Sequence, residues 1–127
     1  MHDTLHSPCV LVVENDRELR RGYAEALRQA GFRVVEAHNG LQAVDKALEL
    51  MPDAIVTDLG LPGIDGYEVC RRLHRAGLSH VPVIAITATF CSAVDVQRAI
   101  RDGCRAVLFK PLAPGQLSAE VRRLVAV

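Results

Sequence analysis

The sequence predicts an α/β fold in which a five-stranded parallel sheet carries helices on both faces. Two observations lead to this prediction: short β-branched apolar runs alternate strictly with amphipathic segments, and five such strand–helix pairs fill the chain. At 127 residues the chain has the size of one ordinary domain. We therefore predict a single domain over residues 1–127, ordered over about 8–127, with residues 1–7 as a frayed leader.

The first part of the chain predicts a strand, a helix and a second strand. Residues 9–13, CVLVV, form a continuous apolar run that is typical of a strand covered on both faces. Asp16 is a favourable N-cap, and apolar residues recur at helical spacing over 17–31, where Gly31 closes the helix. The next apolar run predicts the second strand over 32–37.

The middle of the chain repeats this alternation. A second helix is predicted over 39–50 and ends before Pro52, which cannot continue a helix. Residues 54–58, AIVTD, form an apolar run that ends on an acid, and they predict the third strand. Asp65 precedes a third helical pattern over 66–77, and we predict that its carboxylate caps that helix.

The last part of the chain supplies the remaining four elements. The runs PVIAITA and RAVLF predict the fourth strand over 82–88 and the fifth over 105–109. Apolar residues at helical spacing predict the fourth helix over 92–103 and the fifth over 114–127.

Composition excludes several classes of protein. The chain is 50% hydrophobic and 24% charged with a net charge of zero, which argues against a disordered tail or a nucleic-acid-coating protein. No apolar run is long enough for a membrane span and no secretory signal pattern is present, so we expect a cytoplasmic location. The four scattered cysteines are expected to be core residues in a reducing compartment, with Cys91 as the candidate exposed thiol.

Polar side chains follow four of the five predicted strands. In an open parallel sheet, ligands bind outside the carboxyl ends of the strands, where the strand order reverses. The residues that we expect to meet there are Glu14, Asn15 and Asp16 after the first strand, Asp58 after the third, Thr87 and Thr89 after the fourth, and Lys110 with Pro111 after the fifth.

This combination of side chains suits phosphoryl transfer supported by magnesium. Carboxylate and amide oxygens are ligands that magnesium prefers, and a lysine can neutralise phosphate oxygens. An aspartate can itself accept a phosphoryl group as an acyl phosphate. Asp58 is the best-placed candidate, because Gly60 and Gly63 allow the backbone to approach the ion closely.

Four segments, VLVVEND, VTDLGLPGIDGYE, VIAITA and LFKPL, resemble the receiver domain of two-component response regulators. They occur in the family's order and cover nearly the whole chain. The resemblance implies a flavodoxin-like (βα)5 fold, a three-layer sandwich whose parallel sheet has the strand order 2-1-3-4-5.

The resemblance also implies the phosphoryl and metal sites. Asp58 would be the phosphoacceptor, and Mg²⁺ would be bound by Glu14, Asn15, Asp58 and the backbone carbonyl of Gly60. Asp16 is an alternative oxygen ligand, but it stands where a helix cap is needed, and we favour the cap.

A switch is implied beside the phosphoacceptor. Thr87 would be the switch hydroxyl, Lys110 would contact the phosphate, and the bond between Lys110 and Pro111 would be a cis peptide. A histidine kinase or a histidine phosphotransfer protein would supply the phosphoryl group from a phosphohistidine. The aspartyl phosphate would then shift the face formed by the fourth helix, the fifth strand and the fifth helix.

That face implies the partners of the domain. A downstream effector protein, or an effector domain absent from this chain, would bind there, and a homodimer could form through it. We expect no contact with nucleic acid and none with a membrane. We also expect no enzymatic activity beyond catalysis of the domain's own phosphorylation and dephosphorylation.

Two positions depart from the family's pattern. The second acidic metal ligand is Asn15 here, so we predict weaker magnesium binding than a pocket of three carboxylates would give. The aromatic switch residue is Val107, which has no ring, although strand alternation places Phe109 on the same face. Gly60, Thr89 and Val107 are therefore candidate modulators of the phosphorylated state.

Three alternatives remain open from the sequence. A docking domain of the same fold that acts without phosphorylation is compatible with Asn15 and Val107. A phosphohydrolase would need a second acid near Asp58, and Gly60 stands two residues later. A flavin-binding protein would share the fold, but 4% aromatic residues leave little to stack on a flavin ring.

Overall fold

The computed structural model describes residues 7–88 and 92–125, and within these ranges five strands alternate with five helices. The strands are β1 Cys9–Val13, β2 Arg33–Ala37, β3 Ala54–Asp58, β4 Val83–Thr87 and β5 Ala106–Phe109. The helices are α1 Arg17–Gln29, α2 Gly40–Leu50, α3 Gly66–Arg75, α4 Ala93–Arg101 and α5 Gln116–Val125. Most of the predicted leader, together with Thr89 and Cys91, lies outside the described residues, while Ser7 is buried.

The five strands form one parallel sheet in the order β2-β1-β3-β4-β5, which confirms the predicted fold class. The register pairs Val10 with Ala54, Asp58 with Ile86 and Thr87 with Phe109. Because all strands run in the same direction, the residues that follow β1, β3, β4 and β5 meet at one edge of the sheet.

Two apolar clusters cover the two faces of the sheet, so the molecule is the predicted three-layer sandwich. Successive residues of β1 alternate between the clusters, as the period of a strand requires. One cluster joins Leu11, Val13 and Ile55 to Ala43 and Ala47 of α2, Val69 and Leu73 of α3 and Ala99 of α4. The other joins Val10, Val12 and Val56 to Leu27 of α1 and to Leu117 and Val121 of α5.

The helices differ in how firmly they are anchored. Of the described residues of α4, Ala99 alone is buried. The helix α3 instead buries most of one face, including Tyr67, Val69, Cys70 and Leu73. The connection of α4 to the core is therefore much smaller than that of α3.

The predicted helix caps are confirmed. The Asp16 carboxylate accepts a hydrogen bond from the Leu19 backbone N–H at 3.0 Å, and the Asp65 carboxylate accepts one from Glu68 at 2.9 Å. The helix α1 ends at Gln29, two residues before the predicted end, because the chain turns at Gly31 with a positive φ of 99°.

The described cysteines are core residues, as predicted. Cys9, Cys70 and Cys104 are buried free thiols. Among the described residues, none of the helices combines the length and the apolar character that a membrane span requires.

Gly66 fixes the approach of α3 to the end of β3. A Cβ atom at this position would lie 2.5 Å from the Asp58 carbonyl oxygen and 2.8 Å from the Leu59 Cα, and both atoms belong to the backbone. The first turn of α3 can therefore pack against the residue that ends β3 only while position 66 carries no side chain.

We predict that Gly66→Ala lowers the free energy of unfolding by about 1–3 kcal/mol, because backbone must move to admit the methyl group. Urea denaturation measures this loss. Gly22→Ala is the matched control: no neighbouring atom lies within 4 Å of a Cβ there, and alanine in the interior of α1 should add about 0.5–1 kcal/mol. Equal effects at both positions would contradict the packing role of Gly66.

Candidate functional site

Three charged side chains meet at the carboxyl edge of the sheet. The Lys110 ammonium lies 2.8 Å from Asp58 Oδ2 and 3.1 Å from Glu14 Oε1. These residues follow or end β5, β3 and β1, so one lysine connects three strands. We call Glu14, Asp58 and Lys110 the charged triad.

Glu14 is a buried carboxylate, with only 3% of its surface exposed. It remains stable there because both carboxylate oxygens accept hydrogen bonds: Oε1 from Lys110, and Oε2 from the Asp16 backbone N–H at 3.0 Å. Its backbone is also held, since Arg20 donates to the Glu14 carbonyl oxygen at 3.0 Å. The loop after β1 therefore presents this acid in one position.

Asp58 ends β3 and is more accessible than Glu14. Its Oδ1 accepts a hydrogen bond from the Gly60 backbone N–H at 2.8 Å, and its Oδ2 accepts one from Lys110. Its backbone carbonyl accepts a hydrogen bond from the Thr57 hydroxyl at 3.0 Å. A buried strand thus delivers a carboxylate that is oriented but still open to a reactant.

Lys110 is positioned by the end of β4. Its backbone N–H donates to the Thr87 carbonyl oxygen at 2.8 Å, and the Lys110–Pro111 peptide bond is cis, as the resemblance implies. Burial alone would lower the pKa of Lys110, but hydrogen bonds to Asp58 and Glu14 and the charges of both acids raise the pKa above its ordinary value of 10.5. The lysine is therefore charged at neutral pH.

The two positions considered for the switch have different environments. Thr87 is buried at the end of β4. Val107 is half-buried and packs against the cluster shared with α2, α3 and α4. Phe109 pairs with Thr87 in the sheet and is exposed.

The oxygen ligands predicted for magnesium are only partly assembled. Glu14 and Asp58 lie together, and Gly60 adjoins them through its N–H. Asn15 is exposed and lines a neighbouring groove of about 340 Å³ with Ile64 and other residues. Within the described part of the chain, no hydrogen bond joins the Asn15 side chain to the charged triad.

The chemistry of this donor set fits a magnesium ion. It consists of oxygen atoms alone, with two carboxylates, and magnesium usually binds to one or two carboxylates and keeps several waters. Across residues 7–88 and 92–125, no group of three or more His, Cys, Asp or Glu side chains is arranged for a metal ion.

Sequence reasoning missed two residues that build the site. Gly66 keeps α3 in contact with the Asp58 backbone, and Arg20 bridges the Glu14 carbonyl to the Glu36 carboxylate, 3.3 Å from its Nε. The position of Gly66 directly after a capping aspartate was a weak indication of close packing at the start of that helix. No feature of the sequence indicated the role of Arg20, because an arginine in an amphipathic helix predicts only a solvated charge.

The comparison with protein families identifies the domain. A family model described as the response regulator receiver domain matches residues 10–122 of the chain. The chain belongs to the response regulator receiver family. Domains of this family are signalling domains rather than classical enzymes.

Two curated relatives illustrate the similarity of the receiver domain to known regulators. The polar-differentiation response regulator DivK of Brucella anthropi is 35% identical over 105 residues, which cover 82% of this chain and 85% of DivK. The transcriptional regulatory protein AfsQ1 of Streptomyces coelicolor is 35% identical over 118 residues, covering 93% of this chain and 51% of AfsQ1. The chain thus spans about half the length of AfsQ1.

Solved structures show the same fold. A putative response regulator from Chloroflexus aurantiacus has a TM-score of 0.88 and 29% identity, covering 95% of this chain and 99% of that one. The receiver domain of the sensor histidine kinase PA1611 from Pseudomonas aeruginosa has a TM-score of 0.86 and 30% identity, with the same coverage. That structure holds a magnesium ion in its active-site cleft.

We predict that Lys110→Met lowers the free energy of unfolding by about 1–3 kcal/mol at pH 7, because two acids then lose their shared cation. A group with a raised folded-state pKa stabilises fully below its ordinary pKa, so the loss should be constant up to about pH 10 and shrink above it. Urea denaturation of both proteins from pH 7 to 11 measures this.

The control is the same substitution in an Asp58→Asn background. One of the two acids is then neutral, so Lys110→Met should cost less than it does in the native chain. The role assigned to the charged triad would be refuted if Lys110→Met lowered the free energy of unfolding equally in both backgrounds. It would also be refuted if the loss caused by Lys110→Met in the native chain grew above pH 10.

Proposed function

We propose that this receiver domain is a phosphorylation-dependent switch that accepts a phosphoryl group on Asp58. The observation that carries the proposal is the contact of Lys110 with Asp58 at 2.8 Å on the ligand-binding edge of the sheet. This contact gives the acid a fixed position next to a permanent positive charge. A carboxylate with that environment can act as a nucleophile while charge on the incoming group is neutralised.

The transfer takes place between two side chains. A carboxylate oxygen of Asp58 attacks the phosphorus of a phosphohistidine, the P–N bond breaks, and the imidazole leaves with the electron pair. The Lys110 ammonium then pairs with a phosphoryl oxygen in place of the carboxylate oxygen that it contacts in this structure. A lysine has an ordinary pKa of about 10.4, so the ammonium stays protonated at neutral pH throughout this exchange.

Magnesium would be held beside Asp58 by Glu14, Asn15, Asp58 and the Gly60 carbonyl. When bound, the ion supplies neutralisation of the charge that develops on the transferred group. Glu14 is suited to this role because its position is fixed by the Asp16 N–H and by Lys110. Asn15 adds an oxygen without a charge, which weakens the site.

The signal would leave through the surface of α4, β5 and α5. Val94 and Ile100 on α4 and Phe109 on β5 are exposed apolar side chains, which suit contact with another protein. The Thr87 hydroxyl would contact the phosphoryl group, and the hydrogen bond from Lys110 to the Thr87 carbonyl connects β4 to β5.

The partners that follow are proteins of the signalling chain. A histidine kinase or a histidine phosphotransfer protein would donate the phosphoryl group in the cytoplasm. A downstream effector protein, an effector domain absent from this chain, or a second receiver domain would bind the surface of α4, β5 and α5.

Docking without phosphorylation is the second candidate function. Two residues favour this function. Asn15 reduces the negative charge available to bind magnesium, and Val107 has no aromatic ring that could change its position when Thr87 moves. A domain of this kind would keep the exposed apolar side chains of α4 and would not need a phosphoryl group to use them.

We expect acetyl phosphate with magnesium to add one phosphoryl mass to the intact protein, since Asp58 is oriented and accessible. Intact mass spectrometry should show this adduct with magnesium only. Asp58→Asn should abolish it. Asp65→Asn is the matched control, because asparagine caps α3 as well as aspartate does and the adduct should persist. An adduct in Asp58→Asn, or none in the native protein, would refute the proposed switch.

Asn15→Asp should raise the magnesium affinity by roughly tenfold, or about 1.4 kcal/mol, because it restores an acid beside Glu14 and Asp58. Titration of the chain with magnesium, followed by amide chemical shifts, measures the affinity.

Asn39→Asp is the control for a general effect of charge. Asn39 lines the same groove as Asn15, but its side chain caps α2 by accepting from the Gln42 N–H at 2.8 Å. This variant should change the affinity much less. Equal gains from both variants would argue against Asn15 as a ligand.

A further inference from the structure

Two buried cysteines meet behind the surface of α4 and β5. Cys70 lies on α3 and Cys104 lies in the turn between α4 and β5, 34 positions later in the chain. Their Sγ atoms are 3.1 Å apart and share a hydrogen bond. Both residues are almost fully buried, with 3% and 4% of their surfaces exposed.

We propose that Cys70 and Cys104 form an oxidation site that closes to an intramolecular disulfide. The two sulfur atoms need to approach by only about 1 Å to reach the S–S bond length of about 2.0 Å. No other described thiol is within hydrogen-bond distance of either sulfur. The product would therefore be one defined crosslink between these two cysteines.

A groove is lined by residues that neighbour the two cysteines in the chain. This groove has a volume of about 260 Å³ and is lined by Arg71, His74, Arg75, Arg101 and Asp102. Arg71 directly follows Cys70, and Asp102 lies two residues before Cys104. The turn also lies close against α3, since a Cβ at Gly103 would be 3.3 Å from His74 Nδ1.

The surroundings of the pair slow its oxidation. The hydrogen bond with Cys104 and burial both raise the pKa of the Cys70 thiol, which lowers the population of the reactive thiolate. The Arg71 guanidinium opposes this rise, and the Asp102 carboxylate at 2.8 Å holds Arg71 at the groove. Large thiol reagents cannot reach sulfur atoms that are this deeply buried.

Hydrogen peroxide is the oxidant that we assign to the pair, because it is small and uncharged and both thiols are buried. One thiol, after losing its proton, attacks a peroxide oxygen, the O–O bond breaks, and a sulfenic acid and hydroxide form. The second sulfur attacks the sulfenic sulfur, the S–O bond breaks, and hydroxide leaves. The two thiol protons convert the two hydroxides to water, so two thiols and one hydrogen peroxide give one disulfide and two waters.

The crosslink would tie the base of β5 to α3. Between the two cysteines lie β4 and α4, so the bond closes a loop that contains the most weakly anchored helix. Such a loop closure restricts the unfolded chain and stabilises the folded one. This chemistry does not involve Asp58, and it stands whether or not the proposed phosphorylation occurs.

The 127-residue chain is treated with hydrogen peroxide in its native state and then denatured in the presence of N-ethylmaleimide, and its mass is measured by mass spectrometry. We expect the oxidised protein to take up two fewer maleimide groups than the reduced protein, and dithiothreitol to restore them. A tryptic map should show the Cys70 and Cys104 peptides linked. The oxidised protein should also melt several degrees higher.

Variants of single cysteines test the pairing. Cys70→Ala and Cys104→Ala should each prevent the loss of two maleimide groups, while Cys9→Ala and Cys91→Ala should leave it unchanged. Full labelling after peroxide, irreversible oxygen addition to either sulfur, or a crosslink that includes Cys9 or Cys91 would overturn the proposal. The peptide map of the native chain decides the outcome even where a variant does not fold.

Discussion

The structure of this domain depends on one charged contact, the ammonium of Lys110 between Asp58 and Glu14. The two hydrogen bonds join residues that are 52 and 96 positions apart in the chain, so they form only when the sheet is complete. Without this cation, a buried glutamate and a nearby aspartate would repel each other at the end of a strand pair that is otherwise apolar. The same contact therefore joins three strands and prepares the acid on which the proposed chemistry takes place.

The parallel sheet explains why such a site can be built from ordinary residues. The strands β1, β3 and β5 contribute their charged site residues only where they leave the core, so none of the three has to place a charge within an apolar layer. The backbone at these ends is then fixed by close packing and by hydrogen bonds: Gly66 admits α3 to the end of β3, and the Thr87 carbonyl holds the Lys110 N–H. These backbone supports place the charged side chains where the contact of Lys110 with both acids can form.

The sequence predicted the order of strands and helices and the residues at the sheet edge, because continuous apolar runs and helix caps are local signals. It did not distinguish Gly66, where a side chain would strike backbone, from Gly22, where it would meet no neighbour. Nor did it show that Cys70 and Cys104 touch, or that Arg71 pairs with Asp102 across two helices. These features depend on distances between elements that are remote in the chain, and the periodicity of apolar residues along the sequence does not predict such distances.

The shallow anchoring of α4 has a consequence for the dynamics of the domain. A helix that buries Ala99 alone among its described residues loses little apolar contact when it separates from the sheet, so its amide protons should exchange with solvent through local opening at a low free energy. The central strands β1, β3 and β4 and the helix α3 should exchange only when the whole domain unfolds. The domain thus behaves as a rigid body with α4 as one loosely attached cooperative unit. A protein that binds α4 can displace this helix with little loss of apolar contact in the core.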